Sequence, residues 1–200
     1  MNRRALAQRL RDSIVAAFGA FRRERPDERP YAFALVGGQA GNYIGSAIAT
    51  EGRLRETAMK YAESGYRYEG WEWEEVDHAE RLAVWLRWAN PDDGWRYGDF
   101  DDSEALCRSL RLLFDRGELT DEGGSFEAFC TDEVLLPLSR DPDWAIDPLS
   151  RSLIVGFTYG EDPRDFLRSA TRANPYPRVI ELWGQHWQAQ EVEPRIKAPS

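Results

Sequence analysis

"RPYAFALVGGQAGNYIGSAIAT", Arg29 to Thr50, is the stretch on which the fold turns. Tyr31, Phe33 and Leu35 alternate with Ala32 and Ala34, the period of a strand, and a second strand-like run follows a glycine-rich turn. An antiparallel β-hairpin is the economical reading. The glycines invite a phosphate-binding interpretation, but Gly38, Gly41 and Gly45 do not make G-x-G-x-x-G and no Lys-Ser or Lys-Thr follows. Ile44 and Ile48 continue a strand where a phosphate cradle would open a helix. Glycine here supplies the positive φ angles of a turn.

Helical periods flank the hairpin. Leu6, Leu10, Ile14, Ala17, Phe18 and Phe21 recur at three- and four-residue intervals between arginines, which predicts a long amphipathic helix ending before Pro26. Thr50 is placed to cap a second helix, through about Ser64, with Leu54, Ala58 and Tyr61 on one side. "YRYEGWEWEE", Tyr66 to Glu75, changes to aromatic–acid alternation and predicts a strand. Asp77 and Glu80 then open a helix carrying Leu82, Trp85, Leu86 and Trp88, and Asn90-Pro91 ends it. Leu106, Leu110, Leu113 and Phe114 mark another, stopped at Gly117. "EVLLPL" is an edge strand at best because of Pro137, "SLIVGFTYG" a further apolar run, and "RDFLRSATRAN" resumes a helical period. These elements predict an α+β fold, a central mainly antiparallel sheet with an early β-hairpin and helices packed on it. Residues 1–190 form one domain and 191–200 a tail.

"YAFAL" after an N-terminal helix, the helix running into "YRYEGWEW", and "LIVGFTYGEDPRDFLRSATRANP" together resemble a bacterial family, the domain of unknown function numbered 4303. The resemblance runs from the first helix to Asn174-Pro175, and "YPRVIELWGQHWQ" looks like an addition to it. Members have a more acidic turn where this chain has "GGQAGN". The resemblance implies a small intracellular bacterial domain and supplies no catalytic residues.

Composition narrows the function. The formal charge of −9 and a pI near 4.9 oppose attraction to nucleic acid or an anionic membrane and favour a basic protein partner. No apolar run reaches the roughly 18 residues of a membrane span, and two cysteines without CxxC, with no apolar leader, point to a cytoplasmic location. Charge is uneven: residues 1–30 hold eight arginines against four carboxylates, whereas 69–104 hold twelve carboxylates against three arginines, with five of the eight tryptophans.

Catalytic signatures are sparse. His78 and His186 belong to no HExxH, no serine sits in G-x-S-x-G, and Cys107 falls beside an apolar helical stripe. Asp99, Asp101, Asp102 and Glu104 are hard oxygen donors, but Glu104 and Leu110 occupy the places where a calcium loop needs Gly and Glu. Helix capping by Asp101, completed by Glu104, explains them better. No metal, cofactor or catalytic residue is assigned. The leading reading is a non-catalytic binding protein, of the immunity or inhibitor kind, that meets a basic partner through Glu72, Glu74, Glu75, Asp99, Asp101 and Asp102, with Trp95 or Tyr97 at the edge of that face. Its alternative, an enzyme or small-ligand binder, requires a pocket of roughly 300 Å³ or more with convergent polar groups and a strongly perturbed ionisable one, which is not expected.

Overall fold

A computed structural model describes residues 2–68, 78–89, 94–121, 124–160, 162–192 and 196–199. Helix α1 (Arg3–Glu24) leads into the hairpin, β1 (Pro30–Gly37) and β2 (Ile44–Thr50), followed by α2 (Glu51–Glu63). Asn2 and Thr50 cap the two helices by accepting from Ala5 N and Arg53 N. Then come β3 (Arg67–Tyr68), α3 (His78–Leu86), β4 (Arg96–Asp99) and α4 (Ser103–Asp115). The later half holds α5 (Ser125–Ala128), a π-helical stretch (Phe129–Leu135), α6 (Leu136–Ser139), α7 (Pro148–Ser152), β5 (Ile154–Thr158), α8 (Pro163–Ala173), α9 (Tyr176–Val192) and β6 (Ile196–Lys197). The predicted strand around Trp71 and Trp73, and the cap at Asp77, lie outside the described residues. Among the described residues no helix is long and apolar enough to cross a membrane.

The central sheet has the order β4-β2-β1-β5. The hairpin pairs antiparallel and β4 joins β2 antiparallel, but β5 runs parallel to β1. The sheet is therefore mixed, which corrects the expectation of a mainly antiparallel one. A parallel neighbour needs a crossover, and the long helical excursion between β4 and β5 supplies the chain length for it. Alternation along β1 sorts two cores. Phe33 and Leu35 join Ile44, Ile48, Phe157 and the α1 stripe on one face, while Ala32, Ala34 and Val36 meet Trp88, Trp95, Phe166 and Leu182 on the other. Tyr31 departs from strict alternation: a register shift between Pro30 and Ala32 accompanies its packing with the second group, 5.5 Å from Trp88.

Two predicted elements changed identity. "EVLLPL" is helical, because Val134, Leu135 and Leu138 are buried at helical spacing and Pro137 falls in the first turn of α6. Within the stretch read as a tail, β6 pairs antiparallel with β3, and Ile196 packs against the small cluster built on Leu54, Ala58, Leu82 and Leu86.

Candidate functional site

Alongside the core stripe of α1 runs a second line of residues, Arg9, Ser13, Ala16, Ala17, Ala20 and Glu24, three or four apart and so on one side of the helix. This line forms one wall of a cleft of about 800 Å³. Ser46 and Ile48 of β2, with Trp95 to Asp102 along β4 and beyond it, form the other wall. Small alanines on α1 leave the space open. The volume and the convergence of polar groups exceed what was expected of this chain. The groups most strongly displaced in acidity, Tyr31, Cys130 and Tyr159, all pushed up chiefly by burial, are not part of its lining.

At one end Asp102 begins α4, but its carboxylate does not cap that helix. It turns to α1 instead, accepting from Arg9 Nε at 2.5 Å and lying 3.0 Å from Ser13 Oγ. The expected capping box of Asp101 and Glu104 is thereby corrected: Glu104 points to solvent and lies 3.4 Å from Arg108. The physical reason is that a half-exposed arginine one helix away offers Asp102 a charged donor, a stronger partner than a neutral amide. Asp99 pairs in register with Gly45, and its charge acts on the Tyr43 hydroxyl. That hydroxyl sits where a Cβ on residue 45 would be, so the contact requires glycine. Burial first, then the Asp99 carboxylate, pushes Tyr43 up.

At the other end Glu28 is the hub. Its carboxylate accepts from Thr50 Oγ1 at 2.7 Å and Arg96 Nη2 at 2.8 Å, with Arg25 Nη1 at 4.0 Å. Burial works to raise its pKa, but the hydroxyl and the arginines outweigh it and hold Glu28 below the usual glutamate range. No sequence motif marked this residue. Its partners lie up to 68 positions away, and only strand pairing brings them together.

Five of the residues singled out from sequence therefore line one cleft: Trp95, Tyr97, Asp99, Asp101 and Asp102. Tyr97 is 44% exposed, whereas Trp95 is 7% exposed and packs edge-on to Phe166 at 5.1 Å, which makes it a core residue at the cleft wall. Glu72, Glu74 and Glu75 lie outside the described residues. Neither His78 nor His186 lines the cleft. Cys107 and Cys130 are both buried free thiols, and burial raises both, which keeps them protonated and poorly nucleophilic. Among the described residues no three His, Cys, Asp or Glu side chains are placed to hold a metal ion.

A family model described as a domain of unknown function, DUF4303, matches residues 10–111. The chain belongs to the DUF4303 family. The match spans the hairpin, α2, α3, β4 and most of α1 and α4, so every cleft residue of this DUF4303 chain except Arg9 falls within it. It stops well short of Asn174, and "LIVGFTYGEDPRDFLRSATRANP" lies outside the matched residues. No curated protein and no solved structure matches the chain.

Proposed function

We propose that the chain is a non-catalytic binding protein of bacterial cytoplasm, of the immunity or inhibitor kind, and that it docks an extended basic segment of a protein partner along β4 in this cleft. The observation that carries the reading is the state of the two sheet edges. At β5 the outward amides of Val155 and Phe157 are taken by Asn174 Oδ1 at 3.0 Å and Ser169 Oγ at 2.9 Å, so side chains blunt that edge. At β4 the residues Tyr97, Gly98 and Asp99 are exposed, and among the described residues no further strand pairs beyond it. An exposed edge accepts an extended segment by main-chain pairing, and Asp99, Asp101 and Asp12 along the same cleft favour lysine or arginine on it.

Display of random dodecapeptides against the full chain tests this. Selected sequences should be rich in lysine and arginine, and their binding should fall when their own backbone amides are N-methylated, since that removes the donors main-chain pairing needs. Selection of acidic sequences, or no selection at all, would overturn the reading. An enzyme remains the second reading, supported by the size of the cleft.

A further inference from the structure

The cleft changes sign along its length. At the Asp102 end Arg9 is committed to that aspartate, leaving Asp12, Asp99 and Asp101 as the local excess. At the Thr50 end Arg25, Arg53 and Arg96 outnumber Glu24 among the lining residues. Arg25 and Arg96 share Glu28, and Arg53 is tied to the same network through its amide, which donates to Thr50 Oγ1 at 3.2 Å. Its guanidinium reaches Glu56 through Nη1 at 2.9 Å.

Two donors at this end have nothing to donate to. Arg53 Nε and Arg96 Nε are buried without a hydrogen-bond partner. A buried unpaired N–H is costly, and Nε belongs to the edge with which a guanidinium grips a carboxylate through two parallel bonds. Between the two charged ends the walls are Ala16, Ala17, Ala20 and Ile48, apolar and small. The Arg96–Asp99 strand covers about 10 Å, with Asp101 in a turn beyond it, and from Ser13 to Glu24 α1 rises about 17 Å. The α1 wall alone has the length of roughly five extended residues.

We propose that the arginine end is a carboxylate subsite and takes the free C-terminal carboxylate of the bound segment. This rests on the basic-segment reading above and adds direction to it. The segment enters by its C-terminus, its last carboxylate meets Arg53 and Arg96, and a lysine or arginine about four residues upstream meets Asp99 and Asp101. The intervening side chains lie against the alanine wall, where small or flat residues fit.

Two hexapeptide pools distinguish the possibilities. Both carry lysine four positions before the last residue and are random elsewhere; one has a free C-terminal acid and the other an amide. Passed over the immobilised chain, the acid pool should be retained about tenfold more strongly. Arg53→Lys, which keeps the charge and removes the Nε donor, should shrink the ratio of acid-pool to amide-pool retention. A cooperative thermal melt followed by circular dichroism reports that the variant is folded. Equal retention of the two pools, or stronger retention of the amide, overturns the carboxylate subsite and leaves the basic-segment reading standing. Retention of neither pool overturns both.

Discussion

Glu28 keeps its charge in a crowded place because three groups converge on it, and that convergence has a pH signature. Its folded pKa lies below the ordinary glutamate value of 4.5. A group lowered on folding contributes stability that is fully present above its unfolded pKa and is lost as pH falls through the folded value. Glu28→Gln should therefore cost about 1–2 kcal/mol at pH 7, and urea titrations at decreasing pH should show the gap between the two proteins narrowing below pH 4.5. An equal gap at pH 7 and pH 3 would mean that hydrogen-bond geometry, not charge, carries the contribution. Residue-level roles were the least legible part of the sequence. Asp101 looked like a helix cap from its local neighbours, but Asp102 holds the cap position, and its side-chain partner, Arg9, is 93 positions away. Trp95 and Tyr97 looked equivalent as edge aromatics, but burial separates them, and burial is decided by which face of the sheet carries Phe166.

Elements were easier to read where a single period ran uninterrupted. The α1 stripe, the hairpin, the Thr50 cap and the α8 period all appear in the structure where the residues predicted them. Direction and partner were not readable for β5, because an apolar run buried on both faces carries no sign of which way its neighbour points. The device that protects this strand's edge was equally hidden. Asn174 accepts from Val155 N at 3.0 Å and donates to both Val155 O and Ala170 O at 2.7 Å, so a side chain completes the edge as a strand would. Close approach of α8 helps it: a Cβ on Gly156 would meet Phe166 Cε2 at 2.6 Å. Asn174→Ala should strand a buried amide and carbonyl and lower stability by roughly 2–4 kcal/mol in denaturant titrations. A loss under 1 kcal/mol, about what a single exposed bond contributes, would mean that solvent replaces the side chain at that edge.

For the molecule as a whole, the uneven charge of the sequence has two parts. Some of it is internal complementarity, since the basic first segment and the acidic region meet in Arg9–Asp102. The remainder, a net charge of −9, acts outward. Exposed carboxylates steer an approaching cation through a field with a Debye length of about 8 Å at physiological salt, whereas a docked aromatic acts only after contact. The two contributions are therefore separable in time. For a lysine-rich peptide selected on the cleft, raising salt should slow association and leave dissociation nearly constant. Reversal of Asp99 and Asp101 to lysine should lower the on-rate, and so should reversal of Glu72 and Glu74 if the expected acidic face extends that far. Tyr97→Ala should instead raise the off-rate, because a 44% exposed ring at the cleft has area left to bury against a partner. Surface plasmon resonance at two salt concentrations measures both rates. Association that ignores salt and the aspartate reversals would confine the charge of this chain to solubility and remove the steering role from its acidic region.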